Sequence, residues 1–392
     1  MAPPVSEVPS DIIVDLSAGW EVGHQPCKYN AVIQLPQNFQ SSLSWDQNTF
    51  SSQDQYTHVL TDEEKEEINS ALTFFKSLEL DGDQVSQDAF PLPTLEKKLF
   101  ALAKDIHKGK GFGVVRGLDP KDYSDEDNVL ILLGISSYIA ETRAKQDEDG
   151  SMLVHIRNAK ESSIPESYRP IRYSTRASKY HTDGYIDVLA LQTRSCAAKG
   201  GHHSIASAYT IFNKIAAANP RLIPVLFNKQ WPFHSARPKL DGPPHKRALY
   251  FYDGEHLILD LNRDPIEGPK GPDRPAEHPP LKPEQQLALD EIERLSEENK
   301  IVLTHQPGDL TFINNHAIVH SREAFEDDEV NQRYFVRMWL KNKEMAWDLP
   351  KILRDGNYRI FEGNEDVEER WNIKVEPLLV MPFVPQWMMS TS

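Results

Sequence analysis

A chain of 392 residues can bury a large core, as one big domain or two ordinary ones. Its 43 basic and 59 acidic residues leave a net charge of −16, a surface that repels phosphate backbones and anionic lipid, which argues against nucleic acid or a membrane as main partner. Two cysteines cannot make a disulfide framework, no run approaches the roughly 18 apolar residues that span a bilayer, and Met1–Leu16 lacks the apolar core of a secretion signal, so a cytoplasmic protein is expected.

Residues 1–55 are rich in Pro, Ser and Gln, with few periodic apolar positions, and are expected to form an extended N-terminal arm. The stretch Thr61-Asp62-Glu63-Glu64 is a capping box that opens a helix through Phe74 and Phe75. Pro93-Thr94-Leu95 opens a second helix, with Leu99, Leu102, Ala103 and Ile106 on one face, and Ser124 caps a third through Leu130, Leu133 and Ile139. Between them, 111–117 reads as a short strand flanked by glycines. From about 153 the texture changes to short β segments at 152–156, 185–193, 248–252, 256–261, 301–305, 310–313 and 333–340, interrupted by helices at about 207–218 and from Pro283. Strands separated by turn residues imply a mainly β, α+β architecture: a sandwich or jelly roll with flanking helices, filling 56–392 as one domain. Seven prolines crowd 264–283, an insertion that is a surface excursion or a lid. The apolar tail 375–389 is expected to pack on the core or on a second copy, as a homodimer.

His181-Thr182-Asp183 carries the first chemical signal. In an extended segment, residues i and i+2 project to the same side, so an imidazole and a carboxylate converge. With a third ligand from elsewhere, such a pair makes the facial triad that leaves iron(II) with open positions. Among 14 histidines about two His-x-acid matches would arise by chance, and only His181 has one, so the motif is weak alone. Gly200-Gly201-His202-His203-Ser204 follows as a turn where a hydroxyl can face the same cavity. Pro307-Gly308-Asp309 then feeds a strand, with His320 just beyond it. Arg333 and Arg337 sit in an apolar run, costly to bury unless an anion meets them. His316, His305 and His155 stand as alternatives to His320, and a structural ion pair as the alternative for either arginine.

Taken in order, these motifs resemble the taurine dioxygenase-like branch of the 2-oxoglutarate oxygenases, over roughly residues 111–340. The resemblance implies a double-stranded β-helix (jelly roll) core. It implies iron(II) on His181, Asp183 and His320, with oxygen and 2-oxoglutarate as co-substrates. It implies Arg333 as the clamp on the distal carboxylate of 2-oxoglutarate, helped by Ser204, and Arg337 as the contact to an anionic substrate. The expected activity is hydroxylation, desaturation or cyclisation at a C–H bond of a small carboxylate or amino-acid-like substrate, with release of succinate. The alternatives are the same chemistry on a larger secondary-metabolite intermediate, or a zinc-binding or non-catalytic jelly-roll protein. The family pattern often has Arg at the position of His316, and the pair His202-His203 is unusual in its Gly-Gly turn.

Overall fold

The computed structural model describes residues 12–15, 32–235, 237–268 and 278–378. Three helices, two of them capped by a side chain, form one side. The Thr61 side chain accepts from Glu64 N (3.3 Å) while the Glu64 carboxylate accepts from Thr61 N (2.9 Å), so the helix Asp62–Ser77 starts at its capping box. Ser124 accepts from Asp127 N (3.1 Å) at the start of Asp125–Ser137, and Glu96–Lys108 lies between the two in sequence. The helix Asp125–Ser137 is buried from Asn128 onward, because its neighbours cover it on all sides.

These helices cover one face of a seven-stranded sheet. Its spatial order is Thr57–Val59, Phe112–Arg116, Leu310–Asn314, Val188–Ser195, Tyr334–Lys341 and Thr142–Arg143, with Val154–Arg157 also paired to Tyr334–Lys341. Alternation divides the sheet's side chains. Val188, Ala190, Phe312, Val336 and Met338 pack with the helices, whereas Leu189, Leu191, Ile313, Phe335 and Trp339 enter the second core. That second core is shared with an antiparallel four-stranded sheet: Ile301–Leu303, His203–Ser207, Ile318–Arg322 and Ser178–His181. Two sheets therefore enclose one interior, the place where a buried site can be built from both walls.

The expected helices all form. The strands at 185–193, 301–305 and 333–340 appear as Val188–Ser195, Ile301–Leu303 and Tyr334–Lys341. Within the stretch read as an arm, Leu35, Phe39, Leu43 and Trp45 are buried in the core shared by the sheets, and Val32–Leu35 pairs with Ile12–Asp15. Of the proline-rich stretch, Arg263–Glu267 is a short helix, while 269–277 lies outside the described residues, as does the tail from 379. No helix among the described residues is long and apolar enough to cross a membrane.

The turn before Leu310–Asn314 is fixed twice. Gly308 has φ +92°, and a Cβ there would lie 1.7 Å from the Leu118 carbonyl oxygen, so only glycine fits. Next to it, the fully buried Asp309 carboxylate accepts from Arg116 Nε (2.8 Å) and Nη2 (2.7 Å), a bidentate pair.

Candidate metal centre

Strand pairing brings two of the three expected ligands together. His320 lies in the middle of Ile318–Arg322 and is directly opposite His181, so both rings project from the same face, with centroids 4.3 Å apart. Asp183 follows two residues after His181. Its Oδ1 lies 3.7 Å from His181 Nε2 and 3.7 Å from His320 Nε2, and one ligand atom from each of the three falls within 4.8 Å of the others. Two imidazoles and a carboxylate at this spacing suit a facial-triad metal. His181 Nδ1 bonds the Lys179 carbonyl (2.8 Å), which as a donor leaves Nε2 its lone pair. His320 Nδ1 is buried with no hydrogen-bond partner among the described residues, so its ring is held by packing against His181 and His203. Burial, with the neighbouring His181, pushes the His320 pKa down to about 3, keeping it in the neutral form that binds metals.

Asp183 is anchored on its far side. Oδ2 accepts from Arg337 Nη1 (2.9 Å) and Trp339 Nε1 (2.7 Å), leaving Oδ1 toward the histidines. Burial pushes this carboxyl up, but Arg337, His320, His181 and the indole bond outweigh it and hold the group well below the usual carboxylate range. The Asn315 side chain fixes the backbone, accepting from Asp183 N (2.8 Å) and donating to the Asp183 carbonyl (2.8 Å). Neither Trp339 nor Asn315 is given a role by the sequence. For Trp339 a signal was present, since it lies two residues beyond Arg337 on the same strand face.

Arg333 occupies the other end of the interior. It is buried, its Nε donates to the Gly201 carbonyl (3.0 Å), and Nη1 has no partner among the described residues. Asp327 accepts from its backbone N (2.8 Å), but no carboxylate among the described residues lies within ion-pair distance of its guanidinium, and burial together with Arg322 pushes its pKa down to about 9. Its guanidinium rests 4.1 Å from the Phe335 ring centroid. A Cβ on Gly201 (φ +72°) would come within 2.9 Å of Arg333 Cδ, so the Gly-Gly turn gives the arginine its room. An unpaired buried guanidinium is a site for an anion.

Ser204 does not face that site, contrary to the expected role beside Arg333. It pairs with Ser321 across the strands, one residue out of phase with Ile205, which pairs with His320. A one-residue step reverses the face. The metal-face side chain of the turn is His203, buried, 5.3 Å from the His320 ring and stacked at 5.7 Å on His305, with Nδ1 lacking a partner among the described residues. The alternative third ligands are engaged elsewhere: His316 with Asp187 (3.3 Å), His305 with Thr311 (3.1 Å), and His155 with Tyr334 (2.8 Å) and the Asn372 carbonyl (2.6 Å). Arg337, expected to meet an anionic substrate, spends Nη1 on Asp183 and Nε on Gln146 Oε1 (2.8 Å).

The sequence matches the family described as taurine catabolism dioxygenase TauD, TfdA family over residues 75–339. The chain belongs to the TauD/TfdA family. As a member it is an iron(II)- and 2-oxoglutarate-dependent dioxygenase, with oxygen as oxidant. A taurine hydroxylase-like protein, SAT17, of Stachybotrys chartarum is 29% identical over 354 residues, 88% of this chain and 90% of its own. FR-33289 synthase of Streptomyces rubellomurinus is 24% identical over 322 residues, 79% and 91% of the two chains. In fold, the TauD/TfdA member described here is similar to asparagine oxygenase in complex with Fe(II), 2S,3S-3-hydroxyasparagine and succinate, with TM-score 0.57, 15% identity, and coverage of 73% and 93%. It is also similar to the non-heme iron oxygenase OrfP, with TM-score 0.54, 16% identity, and coverage of 78% and 99%.

Proposed function

We propose that His181, Asp183 and His320 hold iron(II), that Arg333 pairs with the distal carboxylate of 2-oxoglutarate, and that the enzyme attacks a C–H bond of a small carboxylate or amino-acid-like substrate. The two sheets around the site are the halves of a jelly roll. One observation carries the reading: Arg333 Nη1 is buried without a partner among the described residues, and its guanidinium rests on Phe335, in the core shared by the strands of the His-Asp-His group. A hydrolytic zinc site has no need of such a cation. Its planar fork suits a carboxylate held by two parallel bonds. His203, on the same face as His320, is the side chain that joins it in place of Ser204.

When bound, iron(II) supplies the oxidising chemistry, coupling decarboxylation of 2-oxoglutarate to succinate with C–H activation. The protein's part is positional. Asp183 is oriented by Arg337, Trp339 and Asn315 so that one oxygen faces the histidines. The rings of Phe335 and Trp339 line the interior and exclude water. Relatives of similar fold were crystallised with hydroxylated asparagine and with (3S)-hydroxy-L-arginine, which supports a small polar substrate. The test is a panel of carboxylates and amino acids screened for stimulated succinate release. A compound that raises turnover and is itself oxidised supports the reading; succinate release that no iron supplement supports would end it.

A further inference from the structure

Resting on that reading, we infer that the substrate is a dianion, held by Arg337, Arg237 and Arg172 together. Arg337 and Arg237 stand beside the same indole, their guanidinium carbons 5.0 and 5.6 Å from the Trp339 ring centroid. Gln146 ties the two, its Oε1 accepting from Arg337 Nε (2.8 Å) and its carbonyl from Arg237 Nη1 (3.0 Å). A Cβ built on Gly184, next to Asp183, would lie 3.3 Å from Arg237 Nη2, so this guanidinium lies beside the backbone that follows Asp183.

Arg172 comes from the short turn Ile171–Tyr173. The carbonyls of Ile171 and Ser174 accept from Arg322 on the His320 strand (3.2 and 3.1 Å), and Ala159 N donates to the Tyr173 carbonyl (3.2 Å). The turn is thereby held between the His320 strand and the segment after Val154–Arg157, where Val154 pairs with Arg337. Arg172 Nε is buried with no partner among the described residues, and no carboxylate there forms an ion pair with it.

The charges do not balance. Against three guanidiniums stand two carboxylates: Asp241, which Arg237 meets through Nη2 (2.7 Å) and Nε (3.3 Å), and Asp183, whose charge a bound metal dication shares. In a chain of net charge −16, this is a local inversion of sign. A monoanion satisfies Arg337 and leaves the half-buried Arg172 guanidinium, 5.0 Å from the Tyr173 ring centroid, without a counter-anion. A substrate with two negative charges, on one tetrahedral head or on two carboxylates, answers both.

The experiment is calorimetric titration at pH 8 of the protein loaded anaerobically with iron(II) and 2-oxoglutarate. The probes are methylphosphonate against methanesulfonate, tetrahedral anions differing by one charge, and malonate against acetate. At least one dianion is expected to bind about tenfold more tightly than its matched monoanion. Arg172→Gln should remove most of that difference, while Arg221→Gln, an exposed arginine hydrogen-bonded to Asn219, should preserve it. Equal affinity within both pairs, or a charge preference that survives Arg172→Gln, overturns the inference. The same titrations on metal-free protein separate the two readings. Failure to bind iron(II) or 2-oxoglutarate defeats the proposed function, while the charge dependence still judges the dianion.

Discussion

Asp183 shows how one residue can be specified from several directions. Its Oδ1 meets two histidines, its Oδ2 an arginine and an indole, and its backbone an asparagine. Outer partners of this kind typically change metal affinity by about 10–100-fold when lost. Trp339→Phe keeps the ring and removes only the N–H, so iron(II) affinity should fall within that range; an unchanged affinity would make the indole bond incidental. Arg333→Leu removes the proposed partner of a carboxylate, worth about 3 kcal/mol, and should raise the Kd for 2-oxoglutarate by at least about a hundredfold. The register separates two neighbours in the same assay. Ser204→Ala, on the far face, should leave that Kd unchanged, whereas His203→Ala should raise it roughly tenfold, the usual worth of a buried hydrogen bond. The opposite pattern would return Ser204 to the pocket.

Among the elements, the helices were legible because their start signals are local: Thr61 with Glu64, and Ser124, act within one turn. The strands that carry the metal group were not. Ser178–His181, His203–Ser207 and Ile318–Arg322 are short and rich in His, Ser and Arg, so no apolar alternation marks them, and long-range pairing defines them. The three candidate ligands could still be read, since a two-residue spacing fixes His181 relative to Asp183 whatever the partner strand. Ser204 could not be placed, because its face depends on a register that only pairing sets. Phe39, Leu43 and Trp45 were passed over for a related reason: scattered apolar residues in a polar stretch have no period, yet they are buried against the sheets. The turn at Gly308 gives a test at this scale. Gly308→Ala must move the Leu118 carbonyl or abandon a positive φ, and should destabilise the fold by at least about 2 kcal/mol in chemical unfolding. Unchanged stability would show that the turn is not the fixed point described.

For the whole molecule, buried neutral histidines tie stability to pH. Burial lowers the pKa values of His107, His155, His245 and His305, the last to about 3. The unfolded chain therefore takes up protons first as pH falls through the ordinary value near 6.5, and the folded state binds fewer. Stability is full above that pH and is lost progressively below it, by up to about 1.4 kcal/mol per pH unit for each such group. Urea unfolding of metal-free protein should show lower stability at pH 5.5 than at 7.5, and equal values would contradict the assignment of these histidines as neutral in the fold. The most direct measurement concerns the metal group itself. Adding 2-oxoglutarate to the iron(II)-loaded protein without oxygen should produce a weak visible charge-transfer band, absent from folded His181→Ala, Asp183→Ala and His320→Ala proteins. A band of normal strength in any of the three would contradict the proposed ligand set.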